Sequence, residues 1–184
     1  MADLYPSRSA ISPFMLPQAC GYVVNMRNTD TTTTNVLTAL GSGLAGAATL
    51  NVIHETVRRI RPDDAPRMDT YGRRSIARGM EMVGVTPPSK DVLQGLALAG
   101  DLLTNSLYYA LVGAGSPDPK QALLRGAALG AAAGIGAIVL PPVMGLGSAP
   151  SRRTPQTKVM TFAWYLVGGL AAAGVWSLLR DPRD

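Results

Sequence analysis

Residues 92–113 read VLQGLALAGDLLTNSLYYALVG, and how this stretch is read decides the fold. It is long and apolar enough to cross a bilayer, yet it carries Asp101 near its middle and Asn105 one helical turn later. A carboxylate in mid-membrane costs ~2.5–3.5 kcal/mol on insertion scales, so a span containing one implies partners that offset the cost. Taken as a span, residues 92–113 have three companions of similar length at 36–54, 122–140 and 159–179. Each comes close to the ~20 apolar residues that a ~30 Å hydrocarbon core requires. The expected fold is therefore all-α: an integral membrane four-helix bundle over residues 35–180, between a polar tail at 1–34 and a short charged tail at 181–184.

Composition supports this through segregation rather than through its averages. Apolar residues make up 47% of the 184, and mean hydropathy is only +0.15. Charges crowd into residues 55–91, 116–125 and 150–158, beside the apolar stretches. The net charge of +5 thus reads as membrane orientation rather than as a nucleic-acid footprint. Lys and Arg number eleven in the two loops 55–91 and 141–158 together, against six elsewhere. The positive-inside rule then places those loops in the cytoplasm and both termini outside.

The first connection is the longest. In it Met68, Tyr71, Ile76, Met80 and Val83 recur at helical spacing, with Arg73, Arg74 and Arg78 as the polar side. A basic amphipathic helix follows, lying in the interface or packed on the cytoplasmic end of the bundle. Pro66 suits its first helical position. Thr31 to Asn35 offer N-caps for the first span, and Pro141-Pro142 should close the third. Phe162, Trp164 and Tyr165 near one end of the last span, with Trp176 near the other, are expected at the two interfaces. Met26 opens MRNTDTTTTN, which reads as a natural start, so residues 1–25 are an extension or a start-site choice. Pro13 and Pro17 argue against a signal peptide over residues 10–26.

Small residues mark where helices meet. Gly126, Gly130 and Gly134 form a GxxxGxxxG row, and Gly41, Ala45 and Ala48 line one face of the first span, with Ser42 and Gly46 beside it. Such rows let backbones approach closely in lipid, within a chain or between chains.

The polar candidates are few. Asn51, His54 and Glu55 end the first span, Asp101 and Asn105 interrupt the second, and Arg125 stands just inside the third. Asp101 lies roughly 15 Å from the cytoplasmic boundary at ~1.5 Å per residue. Together these six residues are the candidate intramembrane cluster, which either forms a path or pocket for an ion or polar solute or holds the helices by hydrogen bonds. One histidine and one cysteine exclude a zinc framework, internal disulfides and a histidine-based triad beyond His54. HETVR lacks the second histidine of a metalloprotease helix. No metal, cofactor or enzymatic role is expected.

In layout the chain resembles small four-helix proteins of the bacterial inner membrane, a likeness that transfers no residues. The leading expectation is a structural or accessory membrane protein, packing through its Gly/Ala faces into a homo-oligomer or a larger membrane complex. Its partners would then be the bilayer and other membrane subunits, and not nucleic acid. The alternative is a small transporter or channel working through Asp101 and Asn105.

Overall fold

The computed structural model describes residues 16–180, with side chains from residue 32 onward except that of residue 149. The expectations for residues 1–15 and 181–184 lie outside them. Contacts divide the chain into residues 1–34 and a compact unit of residues 35–184, and the packing below concerns the latter.

The described residues form six α-helices and one 3-10 turn, with no strand among them: α1 Leu16–Ile60, α2 Met68–Met82, α3 Lys90–Ala110, the turn Leu111–Gly113, α4 Pro119–Val143, α5 Ala149–Arg152 and α6 Pro155–Leu179. Three helical stretches are long and apolar enough to cross a membrane: Thr32–Ile60, Pro119–Val143 and Pro155–Leu179. The fourth expected span, residues 92–113, is not among them. Residues 92–113 are helical almost throughout, but Gln94, Asp101 and Asn105 dilute α3 below the hydropathy of the other three.

Several boundaries also differ. The tail at 1–34 is not polar coil throughout, because α1 begins at Leu16 and runs through Thr31–Asn35, which are helix interior and not caps. Pro17 falls in its first turn, where a missing N–H costs nothing. Pro66 precedes α2 instead of opening it. Helix α4 continues through Pro141 and Pro142 to Val143 and then closes at Gly145, whose φ is +72°. There Leu146 N–H donates to Pro141 O and Gly145 N–H to Pro142 O, the paired bonds of a Schellman motif. Helix α2 ends the same way at Gly84. Side-chain caps open α3, α4 and α6: Ser89 accepts from Val92 N–H, Asp118 from Gln121 N–H and Thr154 from Thr157 N–H.

Packing centres on α4 and α6. Gly126, Gly130 and Gly134 are buried against α6, where a Cβ on Gly130 would come within 2.7 Å of Leu166 Cα and one on Gly134 within 2.9 Å of Phe162 Cα. On the facing side Gly169 meets the backbone of Gly126. Helix α1 lies against α3 through Gly43, which meets Ser106 O and the Ala110 backbone, and against α6 through Gly46, which meets Gly168 O.

The buried row on α1 is thus Ser42, Gly43, Gly46, Ala47 and Leu50, while Gly41 and Ala48 are exposed and Ala45 is half-buried. The face expected from Gly41, Ala45 and Ala48 is turned by about one residue, ~100° on a helix with 3.6 residues per turn. The aromatic residues of α6 differ likewise. Trp164, Tyr165 and Trp176 are buried, and Trp176 packs over Gly113 and donates from Nε1 to Pro117 O at 3.1 Å. An indole whose N–H finds a partner inside the protein has no need of an interfacial position.

Helix α2 is packed rather than free. Gly72 sits on Ala97 of α3, and the Tyr71 hydroxyl bonds Gly147 O at 3.1 Å and Ser151 Oγ at 3.0 Å. Arg74 donates to Leu146 O and Arg78 to Met144 O, so two α2 arginines bind carbonyls of the turn that follows α4. The loops on either side of α2 and α5 therefore gather at one end of the bundle. Residues 111–118 lie at the other end, with Trp176 and Arg180 both bonded to Pro117 O.

Candidate functional site

Between α1, α2 and α3 on one side and α4 on the other lies an open cleft of about 1510 Å³. Its existence follows from side-chain size. One face of α4 is consumed by the glycine contact with α6. The adjacent face presents Ala132, Ala133, Gly136 and Ala137 to the cleft, too small to reach across to α3.

Asp101 lines this space. Its Oδ2 accepts from Asn51 Nδ2 at 3.0 Å, and its Oδ1 accepts from Asn105 Nδ2 at 3.0 Å. Asn105 is placed by the i,i+4 geometry of α3. Asn51 is placed by α1, where its amide also donates to Ala47 O. Two amide donors leave the carboxylate with unused acceptor capacity. Among the described residues no Lys, Arg or His nitrogen forms an ion pair with it.

The remaining candidates separate from this trio. His54 lines the same cleft, but its Nε2 bonds Pro66 O at 2.7 Å and its ring lies 5.3 Å from that of Trp164, which ties it to the core. Glu55 is at the rim, paired with Arg58 at 2.6 Å and Arg59 at 2.9 Å. Those pairs are solvent-exposed and worth ~0–1 kcal/mol each. Arg125 donates to Ala114 O beyond the far end of α3 and does not meet Asp101. Counting along spans could not have shown this, because an arginine stem reaches in either direction.

Other lining groups were not anticipated from the sequence. Tyr108 and Tyr165 also line the cleft, with the Tyr108 hydroxyl on Leu129 O at 3.0 Å, and so do Gln94 and Thr104 of α3. A usable signal was present: Gln94, Asp101, Asn105 and Tyr108 follow one another at helical spacing. Asp69, in the first turn of α2, also lines the cleft. It pairs with Arg73 at 3.3 Å through Oδ2, and its Oδ1 is the buried side-chain oxygen without a hydrogen bond among the described residues.

Helix α3 turns its polar side chains Gln94, Asp101, Thr104 and Asn105 towards the cleft and keeps leucines on its outer side. Leu103 and Leu107 are 62% and 54% exposed, Val92 and Leu96 are exposed on the same helix, and Leu111 in the turn that follows is exposed too. Water-soluble helices have the opposite arrangement, with apolar residues turned to the core. Exposed branched apolar residues recur on the other long helices, at Leu37, Leu44, Leu123, Leu124, Ile135, Val139, Val167 and Leu178. With three helices able to cross a bilayer, this surface defines the class: a helical membrane protein. Compared with protein-family models, with curated proteins and with solved structures, the chain matches none. Among the described residues no group of three or more His, Cys, Asp or Glu could hold a metal ion.

Proposed function

We propose that the chain is a small membrane transport protein whose solute path is the Asp101 cleft. One observation carries this reading. A carboxylate held by two amides, with no salt bridge among the described residues, lines a cleft of about 1510 Å³ between helices whose outer surfaces are leucine-rich. A hydrogen bond serving only to join α1 to α3 needs no such space beside it. Ionisable groups on the inner side of membrane helices mark substrate and ion routes.

In this reading α3 is the fourth member of the membrane bundle. It is antiparallel to α1 and lies alongside it from the Asn51–Asp101 bond to the approach of Gly113 to Ala39. Its polar stripe is shielded by its neighbours, which is how a helix of modest hydropathy is accommodated in lipid. The Lys and Arg excess supports an orientation with loops 55–91 and 141–158 in the cytoplasm and the termini outside.

The test is proton flux into proteoliposomes containing a trapped pH dye. Wild-type protein should carry a flux above that of empty vesicles, and Asp101→Asn should lower it at least tenfold while still inserting. A wild-type flux equal to that of empty vesicles refutes the transport reading.

A second reading, an accessory subunit that packs on other membrane helices, draws on a different surface. Gly126, Gly130 and Gly134 are consumed inside the chain, but Gly41 and Ala48 are exposed, and nothing lies within 4 Å of a Cβ at Gly41. Mass measurement of the detergent-solubilised protein separates the two. A monomer at all concentrations with no co-purifying subunit removes the accessory reading.

A further inference from the structure

From charge, shape and lining, we infer that the ligand of the Asp101 cleft is a lipophilic organic cation, its cationic centre at Asp101 and its apolar body along α4. This rests on the reading of the cleft as a solute site and names the class of solute.

Charge comes first. The other acidic and basic side chains lining the cleft are already paired: Glu55 with Arg58 and Arg59, and Asp69 with Arg73. The nearby arginines of α2 are committed too, with Arg74 on Leu146 O and Arg78 on Met144 O. His54 is turned to Pro66 O. Asp101 is therefore, among the described residues, the lining carboxylate without a salt bridge, with His54 acting on it only from a distance, although the chain as a whole carries +5. A cationic ligand supplies that partner, whereas an anionic one would face uncompensated like charge in a medium of low dielectric.

The walls decide what kind of cation. Leu98, Ala97, Ala132, Ala133, Ala137 and Leu140 are apolar, and among the described residues no three His, Cys, Asp or Glu side chains gather to hold a bare metal ion. Tyr108 and Tyr165 line the same space as Asp101, and aromatic faces attract ammonium-like and other organic cations. The volume, about 1510 Å³, exceeds the ~300–1,000 Å³ typical of drug-sized sites, so bulk is tolerated.

The probe is tetraphenylphosphonium, which is bulky, apolar and permanently cationic, with triphenylphosphine oxide as a neutral relative. Equilibrium dialysis of the full chain in detergent should show saturable binding of the cation. Asp101→Asn should weaken it at least tenfold and leave the neutral probe unchanged, and Asp101→Glu, which keeps the charge, should retain most of the affinity. Ala132→Leu narrows the cleft without touching the Asp101 hydrogen bonds and should weaken both probes. It also serves as the deciding variant if Asp101→Asn fails to fold by tryptophan fluorescence. Equal cation affinity in wild type and Asp101→Asn overturns the cationic class but leaves the cleft reading standing. Unchanged affinity in Ala132→Leu overturns the location. No binding to the wild type overturns the inference, while the proton-flux assay still decides the transport reading independently.

Discussion

Replacing Gly130 with alanine puts one methyl group where α4 and α6 come closest. Its Cβ would lie 2.7 Å from Leu166 Cα and 2.7 Å from Tyr165 O, both backbone atoms that no rotamer change can move. Carbon pairs rest at ~3.5–4.0 Å, so the helices must separate by most of the difference, about 1 Å, and lose the contacts around that point. Overpacking of this kind costs ~1–3 kcal/mol. Alanine is also favoured over glycine in a helix by ~0.8–1.0 kcal/mol, which partly conceals the clash. The comparison that removes this term is Gly174→Ala, also in a helix interior but with nothing within 4 Å of the new Cβ. Gly130→Ala should thus be less stable than Gly174→Ala by ~1–3 kcal/mol, a factor of roughly 5–150 in the unfolding equilibrium. Titration with SDS in mixed micelles reads this out, because Trp164 and Trp176, the chain's two tryptophans, are both buried on α6. If Gly130→Ala proves as stable as Gly174→Ala, the α4–α6 contact is not as close as described and the account of the core fails.

Tyr109→Phe removes the hydroxyl that donates to Tyr165 O at 2.7 Å and should destabilise the fold by ~0.5–1.5 kcal/mol in the same titration. Its effect on flux should be small, since Tyr109 is fully buried and is not among the cleft-lining residues. Topology is tested in a Cys20→Ser background. A membrane-impermeant maleimide should label Ser148→Cys only in inside-out vesicles and Gln121→Cys only in right-side-out ones. The same labelling pattern for both would refute the orientation. Together with the proton-flux and phosphonium-binding results for Asp101, these measurements test the core, the topology and the cleft separately.

The candidate cluster shows how an expectation from linear spacing meets a folded site. Asn105 pairs with Asp101 because both stand on one helix four residues apart, a relation any reader of the sequence can draw. Asn51 required knowledge of how far α1 and α3 are staggered, and that offset depends on where Gly43 lets the Ser106–Ala110 backbone approach. His54 is three residues further along α1 and lines the same cleft, yet Pro66 O and the Trp164 ring hold it. Arg125 is set by the turn after α3, whose carbonyl at Ala114 captures it.

By itself the sequence determined that the chain is helical, that long apolar stretches cross a membrane's thickness, and that Asp101 stands midway along one of the less apolar stretches. These follow from period, length and composition, which are local properties. It also marked Gly126, Gly130 and Gly134 as a contact row, because only small side chains at that spacing give a smooth helix face. Tertiary structure alone decided which helix that row meets, which face of α1 is buried, and that the aromatic residues of α6 turn inward. A small-residue row is complementary to any close helix, and choosing α6 depends on all the neighbours packing at once. The cleft is a further consequence of that choice: with α4 drawn onto α6 by its glycines, its alanines are left opposite Asp101 with space between them.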